Sequence, residues 1–543
     1  MWNRSKTRLW TTLLPRVTPL YLTFFLYHLT STVAGSSPSA YTAVDNILLN
    51  CGSSGNSTTL DGRTWIGDLN SKFSPFEQYS QNKESLTAIA VQQSPSAVQV
   101  PYVTARISLS AFTYMFPVTA GQKFIRLYFY PASYPNFDRS KALFSVKAGR
   151  FTLLNNFNAS LTADADDDPG DTIFREYCVN IEEDQRLNIT FTPSGSNSYA
   201  FVSGIEILSM PSNLYYPPSD NEGLFFIGQR NLYHIDNDTA LEMVYRVNVG
   251  GRSISPAEDT GMFRGWNQDD KYLTQYEDLV LPFNDTIELK FTQVPAYTAP
   301  EEVYQTARTM GTNKTINKSY NLTWEFPVDS GFYYLIRLHF CEFQPEIIQQ
   351  HDREFLIFIA NQTAEEAADV IKWSGGNGVP VYREYVVAMF GKEGVKKMRV
   401  CIALQANPQD WKTSYSDAIL NGVEIFKVSA FNGNLAGPNP DPLPLTPRTV
   451  MPPTPPMKSK NNIITIVVVV GGASSFVVLS IIGFLILRRR QSASDGTTWW
   501  GPSSFSMTKS MKTHTSSLPS SLCVVTSHYL RLEKLPTTLM NES

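Results

Sequence analysis

The sequence predicts an all-β ectodomain of two tandem β-sandwiches, followed by a Pro-rich stalk, a single transmembrane helix and a short disordered tail. Three observations lead to this fold class. Short segments alternate apolar and polar residues, which is typical of half-buried antiparallel strands. A set of sequence strings occurs twice, about 210 residues apart. An uncharged apolar run follows the second copy and is long enough for a helix that spans a bilayer.

The first 34 residues are typical of a secretory signal peptide. Basic residues within the first 16 positions precede the apolar run PLYLTFFLYHL. Small residues then close the run, so we expect cleavage after Ala34 or Ala40. The alternative is an N-terminal membrane anchor, but the apolar run is short for a membrane span.

Two copies of one module are predicted at residues 41–215 and 230–430. Both contain F-P-V, a glycine turn and I-R-L-x-F, as in FTYMFPVTAGQKFIRLYFYP and LTWEFPVDSGFYYLIRLHFCEF. Further matching pairs are REYCVNIEED with REYVVAMFGK, SGIEILSM with NGVEIFKV, and ILLNCGSSG with YRVNVGGRS. The period is too long for a solenoid and indicates a domain duplication.

One strand in each copy, FIRLYFY or LIRLHFC, shows how a module buries a core. Alternate side chains of a strand point to opposite faces, so each strand has an apolar and a mixed face. The residues predicted to face the core are Ile125, Leu127, Phe129, Ile336, Leu338 and Phe340. Those predicted to face away are Arg126, Tyr128, Tyr130, Arg337, His339 and Cys341. Each module has enough such segments for two sheets packed face to face.

The residues after the second module predict a membrane anchor. The stalk, 431–462, is rich in proline, which favours extended polyproline II structure. The apolar run 463–487 has no charged residue, and three arginines follow it at once. By the positive-inside rule, the tail 488–543 is cytoplasmic and the modules are extracellular. We therefore expect a type I single-pass protein of the plasma membrane.

An extracellular location agrees with the sequons and the cysteines. Nine sequons in the ectodomain predict a glycosylated surface. They begin at Asn56, Asn158, Asn188, Asn237, Asn284, Asn313, Asn317, Asn321 and Asn361. The ectodomain cysteines, Cys51, Cys178, Cys341 and Cys401, allow three pairings, between which the sequence does not choose. With so few cysteines, the fold must depend on hydrophobic cores.

Specific strings resemble the plant Catharanthus receptor-like kinase 1-like receptors. They include VPYVTARISLSAFTYMFPV, ISPAEDTG, YTAPEEVYQTARTMG and GNLAGPNP, and the resemblance runs from about Asp45 to Cys523. It implies two tandem malectin-like β-sandwiches. It also implies a receptor that senses secreted RALF-type peptides and cell-wall pectin, usually with a glycosylphosphatidylinositol-anchored co-receptor.

The end of the chain departs from that family. The family's SLPS-x-LC string is present, but the residues after Cys523 do not resemble the lead-in to its Ser/Thr kinase. No Gly-rich loop, H-R-D or D-F-G follows. The tail is compatible with that lead-in read out of frame, because codons for Val525 to His528, regrouped by one nucleotide, can encode Arg-His-Phe-Ser. We therefore expect a chain without its own kinase, or else a truncated version of an active receptor kinase.

Catalytic, cofactor and metal sites are not predicted. The mature ectodomain has too few histidines to favour a Ser-His-Asp triad or a histidine zinc site. The run from Asp164 resembles a calcium loop, but Pro169 stands where the turn requires glycine, which favours a solvated acidic loop. The aromatic residues considered for stacking on sugars are Trp65, Tyr128, Tyr130, Tyr134 and Trp266, for which core packing is the simpler interpretation.

The sequence therefore predicts a receptor-like glycoprotein that acts without a kinase as a decoy or as a co-receptor of full-length relatives. The alternative is a wall-tethering adhesion protein that links pectin to the membrane. The net charge of -4 gives no reason to expect nucleic acid as a partner. The sequence assigns no residue to a ligand site.

Overall fold

The computed structural model describes residues 40–442, apart from 78–84, 93–98, 166–171, 184–185, 219 and 275–278. The predicted signal peptide, transmembrane helix and tail lie outside the described residues, as does the stalk after residue 442. Among the described residues, no helix has the length and apolar character that crossing a bilayer requires.

The first module is built from short strands, as its alternating segments predict. The strands are β1 Asn46–Ser54, β2 Asn56–Thr58, β3 Thr64–Leu69, β4 Phe76–Glu77, β5 Leu86–Ile89, β6 Thr104–Ser108, β7 Phe112–Phe116, β8 Gly121–Phe129, β9 Leu143–Ala148, β10 Phe151–Asn158, β11 Ile173–Ile181, β12 Leu187–Pro193, β13 Ala200–Val202 and β14 Gly204–Ser209. Short helices lie at Gln99–Tyr102, Arg139–Lys141 and Ala159–Asp164.

The second module repeats this construction. Its strands are β15 Phe225–Phe226, β16 Leu241–Asn248, β17 Asn267–Gln268, β18 Arg308–Thr309, β19 Leu322–Asp329, β20 Phe332–Phe340, β21 Phe355–Ile359, β22 Gln362–Ala368, β23 Val381–Met389, β24 Lys397–Ala406, β25 Ile419–Leu420 and β26 Gly422–Val428. The helices are Pro256–Glu258, Asp270–Tyr272, Ala296–Thr298, Glu301–Gln305, Lys314–Asn317 and Val370–Ser374. The described fold is therefore all-β with few, short helices.

One continuous sheet runs through both modules. Within the described residues it has twelve strands, in the order β15-β23-β20-β26-β16-β11-β8-β14-β1-β3-β2, with β17 paired to β16. The modules join where β11 pairs antiparallel with β16, so that Tyr177 lies opposite Glu242. In the first module the sheet β10-β9-β12-β7-β4 packs over it, and in the second module the sheet β19-β24-β21-β22 does so.

The predicted inward faces form the two cores. Ile125 and Leu127 belong to the first core, and Ile336 and Leu338 belong to the second. The opposite face, which a half-buried strand would expose to solvent, is buried as well. Loops and the neighbouring module cover this face, and its charged groups form ion pairs. The residues predicted to face away from the cores are therefore all buried, namely Arg126, Tyr128, Tyr130, Arg337, His339 and Cys341. Tyr130, directly after β8, joins the first core itself.

A third core covers the junction of the modules. It combines side chains of the shared sheet, such as Phe124 and Phe426, with side chains of the connecting segment, such as Tyr215 and Tyr216. The connecting segment between the predicted modules is therefore packed against the shared sheet. The boundaries at 41–215 and 230–430 stay predictions.

Cys51, Cys178 and Cys341 are buried free thiols, so the three possible pairings among the four ectodomain cysteines do not occur.

The stalk was expected to begin at residue 431, but residues up to Asp441 contact the two modules. Leu435 is fully buried in the first core, which an extended, detached stalk would not allow.

Candidate second-module cleft

A cleft of about 580 Å³ opens at one end of the second module, and we call it the second-module cleft. It is formed by the loop after β16, by residues next to β17, by an extended segment around residue 283 and by the helix Glu301–Gln305. Its lining residues are Gly250, Gly251, Arg252, Gln268, Asp270, Leu281, Phe283, Asp285, Glu302, Gln305, Thr306 and Arg308.

The N-x-G loop after β16 shapes the floor of this cleft. Gly250 has a φ of +72°, and a Cβ there would lie 2.1 Å from the carbonyl oxygen of Ala307, so a larger residue would not fit. Its amide donates to Oδ1 of Asp269 at 3.0 Å, and the Thr306 hydroxyl donates to Oδ1 of Asn248 at 2.8 Å. Arg308 also donates to Asp269 and so fixes the back of the cleft.

The first module contains the same arrangement at the equivalent N-x-G loop. The amide of Gly52 donates to Oδ1 of Asp68 at 2.8 Å, and Nε of Arg106 donates to its Oδ2 at 3.0 Å. The Tyr114 hydroxyl donates to the same oxygen, just as Trp324 does to Asp269 in the second module. The loop geometry is therefore a property of both modules and not in itself a ligand site.

The charges of the second-module cleft leave an excess of carboxylate. Arg252 already pairs with Glu258 at 2.8 Å and with Glu302 at 2.7 Å. Hydrogen bonding from Arg252 lowers the pKa of Glu258 to about 2, whereas partial burial raises the pKa of Glu302. Arg308 is likewise engaged by Asp270, so Asp285 adds a carboxylate for which the lining supplies no further cation.

An apolar shelf borders these charges. Leu281 and Phe283 are 54% and 61% exposed, although large apolar side chains are usually buried. A site that combines carboxylates with an exposed aromatic ring suits a ligand with both basic and apolar groups. The arrangement supplies no nucleophile–base pair, and no group of three or more metal-ligating side chains occurs in the part of the chain that the structure describes.

A second, polar cleft of about 560 Å³ lies on the outer face of the first module, and we call it the first-module cleft. Its lining consists of Ser145, Lys147, Thr152, Asn155, Thr192, Asn432 and Asn434. Lys147 is its one charged lining residue, and no described carboxylate forms an ion pair with it. Hydroxyl and amide groups with one ammonium suit a sugar that carries a carboxylate.

The aromatic residues considered for sugar stacking do not line either cleft. All five are at least nine-tenths buried: Trp65, Tyr128, Tyr130, Tyr134 and Trp266. Tyr128 stacks edge-on against Trp65 and donates to Glu206 at 2.7 Å. The interpretation of these aromatics as packing residues is therefore confirmed.

The acidic loop after Asp164 is described only in part. Asp164 ends a short helix and pairs with Arg139 at 2.8 Å, which occupies one of the proposed calcium ligands. Asp166 and Asp168 lie outside the described residues. The distinction between a calcium loop and a solvated acidic loop stays a prediction.

The sequons differ in their surroundings. Asn56, Asn188, Asn237, Asn313 and Asn361 are exposed, and Asn158, Asn284 and Asn321 are partly buried. Asn317 is different, because it is 1% exposed and its Nδ2 donates to the carbonyls of Gly311 and Ser416 at 2.8 and 2.9 Å. A glycan attached to that nitrogen is incompatible with this packing.

A buried ion-pair network at the module junction was missed in the sequence. Its members come from the repeated strings I-R-L, R-E-Y and I/V-E-I. Arg126 pairs with Glu176 and Glu206 at 2.6 Å each, and Arg337 pairs with Glu384 at 2.6 Å. A charged residue at the same place in both copies of an apolar strand was the available signal.

The malectin-like domain family matches residues 49–428. The receptor-like protein kinase FERONIA of Arabidopsis thaliana is 48% identical over 414 residues, which are 75% of this chain and 45% of that protein. ANXUR1 of the same plant is 35% identical over 411 residues, 74% of this chain and 45% of its own length. The chain thus spans about half the length of these relatives.

Solved structures of FER also match this chain. The crystal structure of the receptor-like kinase FER matches with a TM-score of 0.65 and 46% identity, covering 73% of this chain and all of that chain. The crystal structure of RALF23 in complex with FER and LLG2 matches with a TM-score of 0.64 and 44% identity, covering 74% of this chain and 99% of that chain. This chain belongs to the malectin-like family, and its described part is an ectodomain of the kind found in FERONIA and the related Catharanthus receptor-like kinase 1-like receptors.

Proposed function

We propose that the chain is a cell-surface receptor-like glycoprotein that senses RALF-type peptides together with a glycosylphosphatidylinositol-anchored co-receptor. The observation that carries this proposal is the likeness to a FER chain crystallised with RALF23 and LLG2, at 44% identity over 99% of that chain. In this proposal the protein is a single-pass type I protein of the plasma membrane, with its signal peptide removed and its solvent-accessible sequons facing the wall.

The second-module cleft supports a peptide ligand. Asp285, which pairs with no described cation, and the partly buried Glu302 attract the basic side chains that RALF-type peptides carry. Phe283 offers the peptide an apolar surface. Charge complementarity of this kind raises the association rate and disfavours acidic competitors. We therefore assign the peptide or its co-receptor to this cleft.

The test is a binding assay on the full-length chain displayed on cells. RALF23 is titrated with and without LLG2, and saturable binding that LLG2 strengthens is the expected result. The double variant Asp285→Asn, Glu302→Gln should weaken binding at least tenfold. Glu325→Gln, which removes a partly buried carboxylate that pairs with Arg399 in the same module, is the matched control. Equal binding by all three proteins would remove the cleft from the proposal, and no binding at all would refute the function.

We also propose that the chain acts without the family's kinase. In this interpretation the chain binds its ligand without relaying a phosphorylation signal, as a decoy or as a co-receptor of full-length relatives. The support is the tail after Cys523, whose residues are compatible with a shifted reading frame. Long-read sequencing of locus and transcript is the test. An intact frame would identify the protein as a truncated version of an active Ser/Thr receptor kinase.

Pectin is a second candidate ligand, favoured by the first-module cleft. Its hydroxyl and amide lining matches sugar hydroxyls, and Lys147, which pairs with no described carboxylate, matches the carboxylate of a uronic acid. Binding there would make the protein a wall-tethering adhesion protein. The test compares an oligogalacturonide with its fully methyl-esterified form, which lacks the charge. Preference for the charged form, lost in Lys147→Gln, is the expected result.

A further inference from the structure

The last described residues turn back onto the first module instead of leaving the fold. We call residues 429–441 the strap. It begins directly after β26 of the second module, and the Ser429 amide still donates to the carbonyl of Ala240 at 2.9 Å. A turn at Gly433, whose φ is +77°, then directs Leu435 into the first core, where it is fully buried.

The strap pairs with an edge strand. β10 is the outermost strand of its five-stranded sheet, and Thr152 of β10 forms an isolated parallel bridge with Asn434. The Thr152 amide donates to the carbonyl of Gly433 at 3.0 Å, and the Leu435 amide donates to the carbonyl of Thr152 at 2.9 Å. The strap thus satisfies backbone groups that an edge strand would otherwise expose.

Polar contacts hold the strap at Leu435 and at Asn439. The ammonium of Lys427 donates to the carbonyl of Leu435 at 3.1 Å. Asn439 accepts from the amide of Asn158 at 2.9 Å and donates to the carbonyl of Asn156 at 2.7 Å. The strap is therefore docked by the buried Leu435 side chain, by a backbone bridge to β10, and by the hydrogen bonds of Lys427 and Asn439.

The strap also completes the first-module cleft. Asn432 and Asn434 form one side of this cleft, and the outer face of β9, β10 and β12 supplies Lys147 and the remaining lining. A ligand that fills the cleft must therefore touch both the strap and the sheet. Detachment of the strap would remove part of the binding site.

We propose that the strap and the first-module cleft act as one unit, in which a bound uronic-acid oligosaccharide holds the strap on the first module. The choice of ligand rests on the second candidate function above. By thermodynamic linkage, a ligand that binds only the docked state must stabilise docking by as much as docking favours the ligand. Wall binding would then fix the segment that continues toward the predicted membrane anchor.

The docking of the strap is tested without ligand, by hydrogen exchange on the full-length chain. The variant Asn439→Ala should speed exchange at the Thr152 and Leu435 amides at least threefold, with exchange in β20 unchanged. Leu435→Ala should have a larger effect at the same amides. Leu60→Ala, which truncates an exposed side chain of the first module, is the control. Unchanged exchange at Thr152 in both strap variants would overturn the docking.

The coupling is tested by adding an oligogalacturonide to the same protein. Exchange at Thr152 and Leu435 should slow at least threefold, and the methyl-esterified form should have no effect. Lys147→Gln should abolish the ligand effect while exchange of the free protein stays as in the wild type. Binding without slower strap exchange would overturn the coupling but leave pectin binding in place. Absence of oligogalacturonide binding would overturn both the pectin proposal and the coupling. The hydrogen exchange of Asn439→Ala without ligand would still decide whether the strap is docked.

Discussion

Arg246 of the second module donates through Nη2 to Oε1 of Glu176 in the first module at 2.9 Å, and both side chains are 1% exposed. Arg246 also donates to Glu424 at 2.7 Å, and Glu176 also accepts from Arg126 at 2.6 Å. Although burial alone would raise the pKa of Glu176, the two arginines lower it. The buried ion-pair network therefore crosses the junction of the modules beside the paired strands β11 and β16.

Removal of one member of this buried ion-pair network should destabilise the junction of the two modules. In Arg246→Met, Glu176 and Glu424 each lose a buried cation, and breaking a buried pair in this way costs about 3–5 kcal/mol. The free energy of unfolding, measured by urea titration, should fall by that amount. Arg399→Met, which breaks the exposed pair with Glu325, should cost about 0–1 kcal/mol. Equal losses in the two variants would contradict a special role for the junction.

Much of this architecture is visible in the sequence, for reasons that are local. Alternation placed Ile125 and Ile336 in their cores, because side chains of a strand point to opposite faces whatever packs around them. Burial of Arg126 could not be predicted in the same way, since it depends on Glu206 and on the carbonyl of Met262, which are remote in sequence.

The candidate sites depended even more on remote contacts. The recurring N-x-G string indicates a tight loop, but the second-module cleft needs Phe283 and Glu302 from other segments. The proline-rich composition after residue 431 favoured a free stalk. It did not reveal that Leu435 fits the first core, because a single apolar residue carries no periodic signal.

Glu342 should make the stability of the second module depend on pH. Burial raises its pKa from 4.5 to about 7, against the opposing effect of Arg353, which donates to both carboxylate oxygens at 2.7 and 2.8 Å. Asp417 and Asp369 raise it further. The pKa of Glu342 in the folded protein thus lies above its value in the unfolded chain, so protonation of Glu342 favours the folded state. Its contribution to the free energy of unfolding is complete below about pH 4.5 and is lost as the pH rises through about 7.

The measurement compares the wild type with Glu342→Gln by urea titration from pH 4.5 to pH 8. Burial lowers the pKa of His339, which makes both proteins more stable as the pH rises and so opposes the effect of Glu342. Because this contribution is common to the two proteins, the difference between their free energies of unfolding isolates Glu342. The wild type should lose on the order of 3 kcal/mol relative to the variant over this range. Parallel pH profiles would show that Glu342 does not titrate there.

Asn317 should carry no glycan in the folded protein, although it begins a sequon. Both hydrogens of its Nδ2 are used in hydrogen bonds, and its side chain has no access to solvent. Glycopeptide mass spectrometry of the secreted chain should find Asn317 unmodified. Asn317→Ala should lower the free energy of unfolding by about 1–3 kcal/mol, because two buried carbonyls lose their donor. Asn237→Ala, at an exposed sequon, should leave it unchanged.

Phe283 should contribute to ligand binding and not to folding. Its side chain is 61% exposed, so truncation to alanine removes little buried surface and should change the free energy of unfolding by less than about 0.5 kcal/mol. If a basic peptide or its co-receptor covers the second-module cleft, burial of this ring at the interface contributes to affinity, and its loss should cost about 1–2 kcal/mol, or roughly tenfold in Kd.

The control for Phe283→Ala is Leu60→Ala, because Leu60 is a fully exposed apolar residue on the other module. Titration of RALF23 with LLG2 against both variants separates a specific contact from a general loss of surface hydrophobicity. A weaker complex in Phe283→Ala alone places the apolar part of the ligand on the second module, beside Asp285 and Glu302. Equal affinities would mean that the carboxylates act without the shelf, and the charge variants would then carry the whole effect.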